Sequence, residues 1–415
     1  MLKYCITLLV MAPAFSAGGD EARNDAYLKD IWTSDSLLGD WAGPRYWPEL
    51  RDGAIASGIH PFAFYTTEVF GNVNGGAKRG AAWAGVLDFG VGIDLETFAG
   101  VKGGSLFLAG EWIEGENPTE KLVGDFNAVS NIAGFDTVRF LQGWYGQSFG
   151  EAWTFRVGML ALDDDFMVSD AAGLFLNSAF GPLPTQSGNV GAPIWPLSAP
   201  GGFVQYEDPR GGFFQFGLYD GDAGEESVND HGLRISLDQS EGAMAMAEGG
   251  LASSFFGQPG AYKLGAYYHS GDFEDFASGG TENGTYSLYF VADQTLWQGG
   301  ESQLVSFWRA GWNPREDRTV VTFYTDFGLN WEGIPGRPAD TIGLAYSHAG
   351  FGDDYVAAQR AVGENVSSRE GVLELTYRAA ITPWWIVQPD VQWVFDPHES
   401  RNDALLLGVR TQIIF

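Results

Sequence analysis

The chain has 415 residues, with 53 Asp and Glu against 23 Lys and Arg, a formal net charge of −30. So acidic a chain repels nucleic acid and anionic lipid, which excludes partners held by charge of that kind. Charged residues are only 18% of the total and aromatics 15%, and no apolar run after the N-terminus approaches the ~18 residues of a membrane helix. Composition therefore leaves two classes, a soluble all-β protein or a membrane β-barrel.

The N-terminus separates them. Lys3 precedes an apolar stretch from Tyr4 to Phe15, and small residues follow around Ser16-Ala17-Gly18. This reads as a secretory signal sequence over residues 1–17, too short to span a bilayer. Pro13 argues against a buried helix there. Cys5 is the only cysteine and would leave with the signal, so no disulfide framework is expected. Without Lys3 the mature charge is 22 − 53 = −31.

Residues 18–58 are not strand-like and read as a periplasmic or plug segment. Leu38–Arg45 is turn-rich, Trp41 and Trp47 suit anchoring, and residues from Trp47 to Ala56 suit a short helix stopped at Gly58. From Phe62 the apolar period becomes two. Trp83, Leu87, Phe89, Val91 and Ile93 lie on one strand face, and Asp88, Gly90, Gly92 and Asp94 on the other.

The pattern recurs along the chain. Leu106, Leu108 and Trp112 oppose Ser105, Ala109 and Glu111; Trp153, Phe155 and Val157 oppose Thr154 and Arg156; Phe323, Phe327, Leu329 and Trp331 oppose Tyr324, Asp326 and Asn330. The polar faces are too charged for a packed core, and the apolar faces too continuous for a solvated surface. The last strand closes on an aromatic: Leu405, Leu407, Val409, Ile413 and Phe415 share a face opposite Arg410 and Gln412. A terminal Phe415 on such a strand resembles the assembly signal of outer-membrane barrels. About 17 strand-like segments occur between Phe62 and Phe415. An even number is required when both termini lie in the periplasm, so sixteen is expected, with residues 230–250 the suspect segment because Met244 and Met246 alternate poorly.

One connection, about residues 163–200, is unusually long. It carries Asp163, Asp164, Asp165, Phe175, Asn177, Phe180, five prolines and Trp195. Its aromatics argue for order, and an ordered loop in a wide barrel is expected to fold inward and narrow it.

Several stretches now resemble a known family: Leu38–Arg45 (LGDWAGPR), Phe175–Gly181 (FLNSAFG), Gly284–Gln294 (GTYSLYFVADQ), Arg309–Pro314 (RAGWNP) and Glu374–Asp390 (ELTYRAAITPWWIVQPD). Together they resemble the OprB-like carbohydrate-selective porins. The resemblance implies a monomeric sixteen-stranded barrel in the outer membrane with a narrow lumen for mono- or small oligosaccharides.

The residues themselves give a candidate lining. Aromatic faces stack on sugar rings, while guanidinium, carboxylate and amide groups take hydroxyls. The inward positions Asp88, Glu111, Arg156, Arg309 and Arg378 supply the charged groups, and Arg139 joins them if its strand is phased as Thr137, Arg139, Leu141. Asn177 and Trp195 come from the long loop, which is expected to face Arg156 and Glu111. Each Arg and carboxylate also has a bland reading as a wall brace. No cofactor is expected. Asp220, Asp222, Glu225 and Glu226 allow at most a loose loop Ca2+, since Gly224 stands where a ligand side chain is wanted. Lipopolysaccharide and the barrel-assembly machinery are the expected macromolecular neighbours. The rival reading is a barrel hydrolase, which needs a nucleophile beside a base. The five histidines are scattered and give it no such pair. A general or organic-acid channel is the other alternative.

Overall fold

The computed structural model describes residues 48–415 apart from 225–227, 236–240, 256 and 401. The expected signal sequence, Leu38–Arg45, Trp41, Trp47, Glu225 and Glu226 lie outside the described residues.

A short helix, Pro48–Ala56, leads into the barrel, and Gly58 turns the chain with φ +82. Sixteen antiparallel strands follow. They are β1 (Ile59–Asn74), β2 (Gly80–Asp94), β3 (Gly104–Gly115), β4 (Thr137–Phe149), β5 (Trp153–Leu160), β6 (Ala199–Asp208), β7 (Gly212–Asp220) and β8 (Ala243–Phe255). The second half holds β9 (Gln258–Asp275), β10 (Gly280–Gly299), β11 (Ser302–Trp312), β12 (Val321–Ile334), β13 (Arg337–Phe351), β14 (Arg369–Thr382), β15 (Trp385–Phe395) and β16 (Ala404–Ile414). Each strand pairs with its sequence neighbours, and β1 closes on β16 with Tyr65 opposite Ile413 and Glu68 opposite Arg410. Closure gives every strand two neighbours, as a sheet in lipid requires.

The faces sort by chemistry. On β12, Phe323, Phe327, Leu329 and Trp331 are exposed on the outside, while Tyr324, Asp326 and Asn330 are buried on the inside. Long connections, such as 116–136, 161–198 and 352–368, lie at the end opposite the termini. Turns at the terminal end are short, such as 150–152, 300–301 and 335–336. This is the loop asymmetry of outer-membrane barrels, whose long loops face outward from the cell.

Two expectations from periodicity resolve here. The suspect segment contains a real strand, β8, whose Met244, Met246 and Glu248 are buried inside. Hydrophobicity does not alternate there because the inner face packs against an inward loop instead of water. On β4, a bulge passes over Leu141, since Gly110 pairs with Phe140 and Ala109 with Gln142. Thr137, Arg139 and Leu141 therefore share the inner face above the bulge with Gln142 and Trp144 below it.

The hydrophobic core lies inside the barrel. The connection 161–198 runs across the lumen and packs Phe175 and Phe180 on Phe307 of β11, with ring centroids 5.7 and 6.2 Å apart. Burying each ring contributes roughly 1.5–3 kcal/mol. A second inward segment, 116–136, joins it, with the backbone N–H of Asn131 donating to the Leu176 carbonyl at 2.8 Å.

Candidate functional site

The two inward loops hang from the wall by polar contacts. Glu374 of β14 accepts the backbone N–H groups of Leu176 at 2.6 Å and Asn177 at 3.0 Å. Gln388 of β15 donates to the Leu174 carbonyl, and Asn330 of β12 to that of Ala171. Glu248 of β8 accepts Met167 N–H. The second loop hangs likewise: Glu370 of β14 accepts Phe126 N–H at 2.8 Å and Asn127 N–H at 2.9 Å. A carboxylate is suited to this duty, because it accepts several donors at once and charge-assisted bonds are the strong ones.

Between the loops and the wall of β14, β15, β16 and β1 lies a cavity of about 250 Å3. The wall contributes Thr66, Arg378, Gln388, Arg410 and Gln412. The loops contribute Ser130, Asn131, Asp163, Ser178 and Trp195. Arg410 is braced from behind, with Nε donating to Glu68 at 2.7 Å and Nη2 to the Asn131 amide oxygen at 2.7 Å. Burial, reinforced by repulsion from Asp165, pushes the Asp163 carboxyl up to about 6, against the Trp195 N–H that it accepts at 3.2 Å.

The eight residues singled out from the sequence fall into three places. Trp195 and Arg378 line the cavity. Glu111 sits behind Trp195 and accepts its indole N–H at 2.8 Å; it faces Asp88 and Arg139 in register, with Arg139 Nε 3.9 Å away. Asp88 is buried, and neither of its carboxylate oxygens meets a protein donor. Arg156, Asn177 and Arg309 lie under the loops. The Arg156 guanidinium pairs with Asp165 and lies between the rings of Trp144 and Phe203. The long loop faces both Arg156, through Asp165, and Glu111, through Trp195, and Asp165 with the two rings holds Arg156 against the wall. Arg309 takes Asp326 at 2.5 Å and donates to the carbonyls of Gly181 and Ala179, so it braces the loop. Asn177 is fully buried; its side chain donates to Gln392 and caps Ala179 N–H.

Sequence reasoning passed over Arg410, Gln388, Gln412, Thr66, Ser130 and Asn131. The alternation of β16 already put Arg410 and Gln412 on the inner face. Nothing in the 116–136 segment, where the charged residues Glu116, Glu120, Lys121 and Asp125 precede Asn131, announced that Asn131 reaches the lumen. Among the described residues no group of three or more His, Cys, Asp or Glu stands ready to hold a metal.

A closed sixteen-stranded barrel with an apolar exterior and a polar, loop-narrowed lumen defines an outer-membrane channel. Residues 78–415 match the carbohydrate-selective porin, OprB family, and the chain belongs to that family. It is an outer-membrane porin for carbohydrates, a channel and not an enzyme. It is 25% identical to Porin B of Pseudomonas aeruginosa over 97% of this chain and 96% of that one. It is 23% identical to the putative porin QuiX of Acinetobacter baylyi, covering 93% and 95% of the two chains. The high-pH structure of Pseudomonas putida OprB superposes with a TM-score of 0.82 at 23% identity, over 92% of this chain and all of that one.

Proposed function

We propose that small neutral carbohydrates cross by facilitated diffusion through the cavity between the two inward loops and the wall of β14, β15, β16 and β1. The carrying observation is the mixture in its lining: one indole, Trp195, among the guanidinium groups of Arg378 and Arg410, the amides of Gln388, Gln412 and Asn131, and the hydroxyls of Thr66, Ser130 and Ser178. An aromatic face takes a sugar ring, and the surrounding donors and acceptors replace water on its hydroxyls. Glu111, with Arg139 beside it, acts from behind by fixing Trp195, and Arg156, Asn177 and Arg309 by fixing the loops. Binding must stay weak so that the solute also leaves. The barrel works as a monomer, delivered by the assembly machinery through its last strand, with lipopolysaccharide around its outer rim.

Two arginines in the lining favour an organic-acid channel as the second reading. Single-channel recording in planar bilayers separates the two. A neutral sugar should block the current at a concentration that Arg410→Ala raises about tenfold, near 1.4 kcal/mol. A wild-type current blocked by small carboxylates and untouched by neutral sugars would overturn the proposal.

A further inference from the structure

The barrel wall is uneven in height. Strands β5, β6 and β7 have 8, 10 and 9 residues. At the loop end, β4 continues through residues 137–142 beyond its last pairing with β5, Gly143 with Met159. On the other flank β9 continues through residues 270–275 beyond Met244–His269, its last pairing with β8. The stretch β5 to β8 is therefore a notch in the rim.

The exterior marks how deep the notch goes. Elsewhere the upper outer face carries aromatics: Trp83 on β2, Tyr286 on β10, Trp312 on β11, Phe323 on β12 and Trp393 on β15, all exposed. Such residues mark the membrane–water interface. At their lower ends the short strands carry theirs, with Trp153, Phe155 and Phe214 exposed. At their upper ends the outward positions are Val157, Gly202, Leu218 and Ala245, and no aromatic is among them. The sheet stops there below the upper interface.

What fills the notch is the 228–235 segment of the β7–β8 connection. It reaches the free edge of β4, where Phe140 N–H donates to the His231 carbonyl at 3.0 Å and Thr137 donates to that of Asp230 at 2.7 Å. It ties its own turn, with Arg234 N–H on the Asn229 side chain at 2.8 Å and the Asn229 amide on the Arg234 carbonyl at 2.9 Å. This segment leaves Val228, Leu233 and Ile235 uncovered, 52%, 75% and 60% exposed.

We infer that residues 228–235 stand in for the missing strand ends and seat Val228, Leu233 and Ile235 among acyl chains of the outer leaflet, which thins along β5–β8. The inference rests on the outer-membrane location of the barrel. Irregular backbone is kept out of the hydrocarbon unless protein covers it, so the backbone of 228–235 stays against the end of β4 at headgroup level, with the exposed Asp230 and His231, while the three apolar side chains reach down. A bilayer meeting a short wall thins to match it.

A single thiol tests this. Cys5 is the only cysteine, so Leu233→Cys in a Cys5→Ser background accepts one polarity-sensitive fluorophore. Leu218→Cys on β7 serves as the lipid-facing reference, and Val362→Cys, 77% exposed in the 352–368 connection, as the aqueous one. The full barrel is reconstituted in phosphatidylcholine vesicles with and without brominated acyl chains. Expected is quenching at 233 by brominated lipid comparable with 218, and none at 362. Quenching by aqueous iodide alone would overturn the inference. Protection from both quenchers with 233–233 cross-linking would also overturn it and make the notch a contact between copies. Ile235→Cys gives the same reading where the first variant assembles poorly. Sugar block of the same vesicles' channels reports the carbohydrate reading separately.

Discussion

The carboxylate of Glu374 accepts the backbone N–H of Asn177 at 3.0 Å and that of its neighbour Leu176 at 2.6 Å, joining the inner wall of β14 to the crest of the loop that crosses the lumen. Asn177 in turn reaches Gln392 on β15. The crest is thereby held over two adjacent strands, and the cavity lies beside it.

Removing that carboxylate should loosen the crest and leave the barrel closed. Glu374→Ala strands two buried N–H groups, each costing about 1–3 kcal/mol. The wall itself rests on its ladder of strand pairs and keeps them. Single-channel conductance should rise, sugar block should weaken, and heat-modifiable mobility on gels should stay that of the folded barrel. Unchanged conductance and block would mean that the loop holds its place without Glu374.

The charge of the lining sets a second expectation. The chain carries −30 by sequence, which favours cations at the mouths. Loop charge is screened over about 8–10 Å at ordinary ionic strength, so groups lining the cavity decide at high salt. These are Arg378 and Arg410 against Asp163. The Asp163 carboxyl is pushed up to about 6, so it is neutral below that pH and charged above it. Anion preference should be stronger at pH 5 and fall as pH rises through about 6. Asp163→Asn should flatten that dependence. Reversal potentials in a salt gradient at several pH values read both. The stability sign is the reverse of an ion-paired acid: between the unfolded value of about 3.9 and the folded one, the native state binds more protons, so stability falls as pH rises.

The two faces of β2 make a third expectation. Val91 lies on the outer face between Pro61 and Leu108, close to the lower end of β2 at Asp94, so Val91→Arg should cost about 0–1 kcal/mol, below the roughly 2–4 kcal/mol of a midplane position, measured by urea unfolding in vesicles. Its neighbour Gly90 faces inward, which by sequence alone makes Gly90→Arg a conductance variant. The interior corrects this. A Cβ on Gly90 would stand 2.6 Å from the Phe62 ring and 2.3 Å from the Leu108 carbonyl oxygen. Gly90→Arg should therefore lower the yield of folded barrel before any current is read.

The barrel was legible because lipid imposes one rule on every strand: apolar outward, at period two. Trp308 and Arg309, or Leu407 and Arg410, declare their faces without any tertiary knowledge. Where an inward face meets protein instead of water, the rule fails, as at Met244 and Met246. The site was legible only in part for the same reason. An inward Arg looks alike in sequence whether it lines water, as Arg378 does, or braces a loop, as Arg309 does through Asp326, Gly181 and Ala179. Only the path of the loops decides, and that path depends on contacts such as Glu370 to Asn127, which join residues 243 positions apart.

Phe415 allows assembly to be separated from stability. Its backbone N–H donates to the Ala63 carbonyl at 3.1 Å, and its side chain is 58% exposed. Deleting it removes one hydrogen bond, about 1 kcal/mol, and little buried area. The β1–β16 pairing from Phe64–Ile414 to Asn74–Leu405 remains. A barrel once formed should then be nearly as stable without Phe415. If the assembly machinery reads the terminal aromatic, the deletion should instead lower the amount reaching the outer membrane and leave periplasmic aggregate. Fractionation with heat-modifiable gels measures the first quantity, and unfolding of the purified remainder the second. Full outer-membrane yield would show that Phe415 carries no sorting signal, whereas equal losses of yield and stability would make its role structural.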